Sequence, residues 1–148
     1  MKRLITLSIL LACAFSALAQ TRSAVPERFS CKFKMTDEAG KLVASGEAFV
    51  QGDCYRLETD NLKVWCNGSD RWIYTPVSDE LVIQDNDVSF LKQISVSITP
   101  AGKAKVAYQN YSIEIENLVE RAEPWSATDF IIDPDTFGID TIITDLRR

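Results

Sequence analysis

Few side chains in this chain suit covalent chemistry, and their spacing points away from it. The 148 residues include no histidine, which removes imidazole acid–base catalysis, Ser–His and Cys–His nucleophile pairs and almost every zinc site. Of the four cysteines, Cys31, Cys54 and Cys66 lie beyond the N-terminal leader, and no CxxC spacing joins any two of them. Strand alternation puts Cys31 and Cys66 on one face and Cys54 on the other, so a Cys54–Cys66 bridge is disfavoured. Cys31 and Cys66 share a face but two strands intervene, at about 4.8 Å per step, beyond bridging reach in a flat sheet. Buried, inert thiols are expected, with Cys54 the most accessible. Asp133, Asp135, Asp140 and Asp145 lack the spacing of a calcium loop and read as turn caps and solvated surface. No catalytic residue, metal or cofactor is therefore expected; the available chemistry is the burial of apolar groups.

The elements that position these groups begin after a leader. Lys2 and Arg3 precede an apolar run from Leu4 to Ala17, and Ala17-Leu18-Ala19 offers a small-x-small cleavage site before Gln20. Leu10-Leu11-Ala12 before Cys13 is a poorer, lipidation-type alternative. Residues 1–19 are expected to be a cleaved signal peptide and residues 20–148 a single exported β domain. Against 21 acidic residues stand 16 basic ones; removing Lys2 and Arg3 leaves 14, a net charge of −7 for residues 20–148. That balance excludes nucleic acid as a partner and leaves no basic face for an anionic membrane.

Phe29, Cys31, Phe33 and Met35 alternate with Ser30, Lys32, Lys34 and Thr36, the period of a half-buried strand. Further strands are expected over Lys41 to Gln51, Cys54 to Thr59, Leu62 to Asn67, Trp72 to Thr75 and Glu80 to Ile83. Ser95 to Thr99, Ala104 to Gln109, Ser112 to Glu116, Phe130 to Ile132 and Thr141 to Thr144 follow. One short helical segment, Val88 to Gln93, is expected behind an Asp87 cap.

Three turns fix registers. Gly52-Asp53 pairs Val50 with Tyr55 and Ala48 with Leu57, while Asp60-Asn61 pairs Glu58 with Lys63, Leu57 with Val64 and Tyr55 with Cys66. Asp37 to Gly40 is expected to pair Met35 with Leu42, Phe33 with Ala44 and Cys31 with Gly46. All three place Phe29, Cys31, Phe33, Met35, Leu42, Ala44, Ala48, Val50, Tyr55, Leu57, Leu62, Val64 and Cys66 on one face. Ile73 joins them if parity holds across Asn67–Asp70. The other face mixes charges with Phe49, Trp65, Trp72 and Tyr74, so it too must be partly covered. Ala44, Gly46 and Ala48 permit tight curvature or close approach of a ligand. A two-sheet sandwich fits this composition, and so does one bent sheet with an apolar concave side.

The block Leu62–Ile83, LKVWCNGSDRWIYTPVSDELVI, runs as strand, Asn-Gly turn, Trp-apolar-Tyr strand, proline loop and apolar strand. With FSCKFKMTDEAGKLVASGEAFVQGD before it and WSATDFIIDPDTFGIDTIITDLR near the end, it resembles periplasmic outer-membrane lipoprotein carriers of the LolA type. The resemblance implies a mainly β fold, a single strongly curved antiparallel sheet forming a half-open β-barrel with little helix. It further implies a monomeric, non-enzymatic periplasmic chaperone that shelters acyl chains of lipoproteins or lipids between an inner-membrane donor and an outer-membrane acceptor. The candidate cavity lining is then Phe29, Phe33, Met35, Leu57, Leu62, Val64 and Ile73. The chain departs from the family pattern at Pro26, which breaks an opening helix, and at Gly52, where carriers often hold a basic latch residue. The alternative is a non-catalytic envelope β module that binds protein partners without lipid.

Overall fold

A computed structural model describes residues 26–86, 95–98, 104–108 and 110–148. The leader expected over 1–19 and the helical segment expected at Val88 to Gln93 lie outside them. Alternation makes the first strand: β1 (Arg28–Thr36) buries Phe29, Cys31, Phe33 and Met35 and leaves Lys32 and Lys34 exposed. β2 (Leu42–Gln51) and β3 (Cys54–Thr59) meet at the Gly52-Asp53 turn, with Val50 opposite Tyr55 and Ala48 opposite Leu57. Gly52 takes φ +57° there, a left-handed value that glycine adopts without steric penalty. β4 (Lys63–Cys66) sets Tyr55 against Cys66, Leu57 against Val64 and Glu58 against Lys63. β5 (Asp70–Thr75) follows a loop in which Asn67 Oδ1 accepts from the N–H groups of Ser69, at 3.0 Å, and Asp70, at 2.8 Å. That side-chain turn keeps parity, so Val64 faces Ile73. These registers are the ones the turns predict.

The first hairpin differs. Met35 pairs with Ala44, Phe33 with Gly46 and Cys31 with Ala48, a slip of two residues from the expected register. Asp37 is the reason: its Oδ1 accepts from the N–H groups of both Ala39, at 3.0 Å, and Lys41, at 2.9 Å. The Asp37 N–H also donates to the Lys41 carbonyl at 3.0 Å, which draws Lys41 into the loop. A bulge between Met35 and Thr36 then sets Thr36 opposite Leu42. A slip of two conserves faces, so Ala44 and Ala48 stay on the apolar side. Leu42, beyond the bulge, leaves that face and is exposed.

β6 (Glu80–Asp85) pairs with β5, and β7 (Ser95–Ile98), β8 (Ala104–Tyr108) and β9 (Tyr111–Glu120) form a second run of neighbours. β9 pairs with the free side of β1 and runs past the expected end at Glu116. A bulge between Ser30 and Lys32, with Asn117 at φ +52°, returns Leu118 to the apolar face and turns Val119 outward. The last strand, β10 (Ile142–Asp145), lies parallel to β6. The result is one mainly β sheet of ten strands in the order β10-β6-β5-β4-β3-β2-β1-β9-β8-β7, with β10 and β7 as separate edges among the described residues.

Two expectations are corrected at the C-terminal end. The sheet is mixed rather than antiparallel, because the chain crosses one whole face after β9 and so reaches β6 in the parallel direction. Phe130 to Ile132 is not a strand. Ala127–Phe130 is a 3-10 turn in which Ser126 Oγ accepts from Thr128 N–H and Asp129 Oδ2 accepts from Ser126 N–H. A second 3-10 turn, Pro134–Thr136, is capped by Asp133.

Candidate functional site

The seven candidate lining residues come together. Phe29, Phe33 and Met35 from β1, Leu57 from β3, Leu62 and Val64 at β4 and Ile73 from β5 belong to one apolar cluster, each 0–6% exposed. We call their side of the sheet the inner face. Cys31, Ala48, Val50, Tyr55 and Cys66 share it, as the turns predict. Ile113 and Ile115 complete it from β9. Sequence reasoning had a strand there but no partner for it, since no local turn links β9 to β1.

Arg71 is the polar member of this face. It stands opposite Cys66, in parity with Ile73, and is only 3% exposed. The Gln84 amide oxygen, in the orientation that satisfies both groups, accepts from Arg71 Nε at 3.1 Å and Nη2 at 3.0 Å. Counting by two from Ile73 would have placed Arg71 here. It was missed because a basic residue is seldom buried unless paired.

The outer face is packed by different residues. Trp72, Leu81 and Ile83 are buried there, with Trp65, Tyr74, Ile132 and Phe137 against them. The Tyr74 and Phe137 rings stand 4.7 Å apart. Nearer β2, Trp125 meets Phe49 and Phe130 edge-on, each at 6.1 Å. The Gln51 side chain holds that ring's backbone from both sides: Nε2 donates to the Trp125 carbonyl at 3.3 Å, and Oε1 accepts from its N–H at 2.8 Å. The tryptophans Trp65 and Trp72 thus belong to the face opposite the candidate lining, as their parity predicts. What the sequence did not reveal is that residues 121–141 act as the strap over them.

Asp79 fastens the end of that strap. Its Oδ1 accepts from Tyr74 Oη at 3.0 Å and from Thr141 Oγ1 at 2.8 Å, and its carbonyl accepts from Ile142 N–H at 3.0 Å. It does so at φ +47°, a left-handed conformation that Asp tolerates better than most residues. Asp79→Ala should cost about 2 kcal/mol by urea unfolding, through two orphaned hydroxyls and a worse left-handed residue. Asp79→Asn, which keeps an acceptor, should retain most of that stability. The hydrogen bond to Asp79, then burial, holds the Tyr74 phenol above its ordinary value of 10. A raised folded pKa means the associated stability is present in full below pH 10 and is lost as pH climbs through the folded value. Spectrophotometric titration should show the Tyr74 phenol ionising at lower pH in Asp79→Ala than in the parent protein.

The three cysteines of the described residues are free. Burial pushes Cys31 up to about 12 and Cys66 up to about 11. At Cys66 the Gly68 N–H, the Tyr55 hydroxyl and the Arg71 charge pull back only in part. Cys54, half-buried, is raised by desolvation and then by Asp53. A disulfide reagent at pH 8 should therefore modify Cys54 slowly and spare Cys31 and Cys66 until the protein unfolds. All three shifts are upward, so their contribution to stability holds below the ordinary thiol value of 9 and declines as pH rises past it. Among the described residues, no group of three or more Cys, Asp or Glu is placed to hold a metal, and no helix is long and apolar enough to cross a membrane.

A shallow groove of about 540 Å³ opens on the outer face between Phe49, Val119, Arg121 and Trp125. A smaller one, about 260 Å³, adjoins it at Cys31 and Asn117. The Arg121 and Arg56 guanidinium groups sit over the Trp125 and Phe49 rings, each at 4.5 Å.

No family model matches this chain, and no curated protein matches it in sequence. In fold it is similar to an uncharacterised conserved protein from Thermus thermophilus known from a crystal structure. The TM-score is 0.53 at 9% sequence identity, over 91% of this chain and 99% of the other. At that identity the likeness concerns fold alone.

Proposed function

We propose that this chain is a periplasmic carrier of the LolA type, exported by its leader, which binds acyl chains of lipoproteins or lipids against its inner face. In this reading the sheet curves into a half-open barrel around Phe29, Phe33, Met35, Leu57, Leu62, Val64 and Ile73. One observation carries it. A single open sheet has an apolar layer on each face, and the strap from β9 to β10 occupies only the outer one. The lining residues of the inner layer are 0–6% exposed, so a guest reaches them only as the sheet opens. About ten buried methylenes would gain ~8 kcal/mol, equivalent to micromolar affinity before association costs are subtracted, with no energy source. Handover from an inner-membrane donor to an outer-membrane acceptor needs only a graded series of affinities. Met35 offers an adaptable contact to chains of different length.

Native mass spectrometry of protein isolated from the periplasm tests the reading. Acyl-bearing adducts, or stoichiometric uptake of a palmitoylated peptide, are the expected result. A clean apo mass with no uptake overturns it.

A second reading, a non-catalytic envelope module for protein partners, draws on the outer groove. There exposed Val119 lies beside the Phe49 and Trp125 rings. Charged substitution at Val119 would impair partner capture in this reading and leave acyl uptake intact in the first.

A further inference from the structure

The β10 edge carries a pattern that the carrier reading does not use. Ile142 N–H donates to the Asp79 carbonyl at 3.0 Å and Leu146 N–H to the Ile83 carbonyl at 2.7 Å. In a parallel ladder the intervening even residue, Thr144, bonds the same way, so the backbone groups of Ile143 and Asp145 point away from β6. Among the described residues they form a free strand edge, a template for pairing with another chain. The side chains of Ile142 and Thr144 share a face with Glu80 and Val82. Carried past the strand's C-terminal end, that row reads Ile142, Thr144, Leu146, Arg148, while Asp140 lies in the turn closed by Thr141 N–H on the Gly138 carbonyl at 3.1 Å. Ile142 is 59% exposed and Leu146 56%.

The row is self-complementary. Run antiparallel against a copy of itself about a two-fold axis at Thr144, it sets Ile142 against Leu146 and Thr144 against Thr144, and brings the turn that carries Asp140 to the end that carries Arg148. The same register sets Ile143 opposite Asp145, which joins every outward donor and acceptor of those two residues in hydrogen-bonded pairs. Moving the axis to Asp145 puts two Asp145 carboxylates face to face and Ile142 against Arg148. Moving it to Ile143 puts Asp140 against Leu146. Along the Ile142–Arg148 row only the Thr144 axis sets apolar against apolar and opposite charges near one another, while the other face sets Ile143 beside Asp145. Asp145 is already paired within its own chain, to Arg147 at 2.6 Å, and so does not need a partner across the axis.

We infer that the β10 edge is an interface between two copies of this chain, paired antiparallel about Thr144 with Asp140–Arg148 and Ile142–Leu146 contacts. This holds whether or not the inner face carries lipid, and it replaces the monomer expected from sequence. One short edge buries far less than a permanent dimer, so the association is reversible, with a dissociation constant on the order of 10–100 µM.

Sedimentation velocity of the purified protein from about 5 to 500 µM should show a concentration-dependent shift from monomer to dimer. Ile143→Pro removes a donor that β6 does not use, and should abolish the shift while circular dichroism stays unchanged. Asp140→Arg and Arg148→Asp should each weaken the dimer about tenfold, from two like-charge pairs. The double variant should restore it. A protein that sediments as a monomer throughout overturns the inference. So does a dimer insensitive to Asp140→Arg, or one that the double reversal fails to rescue.

Discussion

Replacing Gly46 with alanine is expected to lower the melting temperature by roughly 10 °C or to prevent folding outright. The reason is contact rather than conformation. A Cβ at this position would lie 2.0 Å from the Glu58 carbonyl oxygen, 2.9 Å from its carbon and 3.0 Å from Thr59 Cγ2. Two of these atoms are backbone, so no side-chain rotation relieves them. β3 is also held on both sides, by β2 and by β4, and moving it disturbs the pairing of Leu57 with Ala48 and with Val64. Inserting one carbon into packed structure typically costs about 1–3 kcal/mol, and a pinned backbone puts Gly46 at the upper end. Two other glycines separate this from a general intolerance. Gly138 has open space and no left-handed φ, so Gly138→Ala should be neutral or slightly stabilising. Gly40 has open space but φ +78°, so Gly40→Ala should cost about 1 kcal/mol, the ordinary left-handed penalty. Thermal unfolding of the three variants by circular dichroism checks the order.

Gly46 also illustrates what could be read from the chain alone. The small residues of β2 implied tight curvature or the close approach of a ligand, and the group found against Gly46 is instead the Glu58 backbone. Registers from Val50 to Ile73 were legible because each depends on a turn of a few residues with strong preferences: Gly52-Asp53, Asp60-Asn61 and the Asn67 side-chain turn. Asp37 defeated the same logic. Its carboxylate captures Ala39 and Lys41 together, lengthens the loop and moves the register by two, and nothing in a four-residue turn rule distinguishes that choice. The slip was harmless to the site because faces repeat every two residues, and Leu42 alone was misplaced. Pairings without a turn were out of reach. β9 finds β1 and β10 finds β6 through contacts between distant segments, so Ile113 and Ile115 were absent from the predicted lining and the sheet was expected to be antiparallel. The strap over Trp72 was half legible. Outward aromatics demanded a cover, but Phe130 and Phe137 do not announce which face they will cross.

Leu57→Lys is expected to leave the fold standing and to weaken acyl binding at least 100-fold, about 2.8 kcal/mol. Leu57 lies mid-sheet between Ala48 and Val64 and is 1% exposed. An ammonium placed in a dry, permanently filled core has no partner there, and burying it costs several kcal/mol or drives it neutral. If the inner face receives a guest, it can admit water when empty. The lysine stem then replaces the leucine side chain while the ammonium stays hydrated. Binding an acyl chain would require stripping that hydration, so the penalty falls on uptake and not on folding. The expected result is a cooperative melt within about 4 °C of the parent protein, roughly 1 kcal/mol, with no palmitoylated-peptide complex by native mass spectrometry. Leu57→Met, similar in volume and apolar, should keep both stability and uptake. A Leu57→Lys protein that fails to fold beside a well-folded Leu57→Met would mean that the inner face is solid core, and the carrier reading would fall with it. A folded Leu57→Lys that still takes up the peptide would instead move the acyl site away from β3.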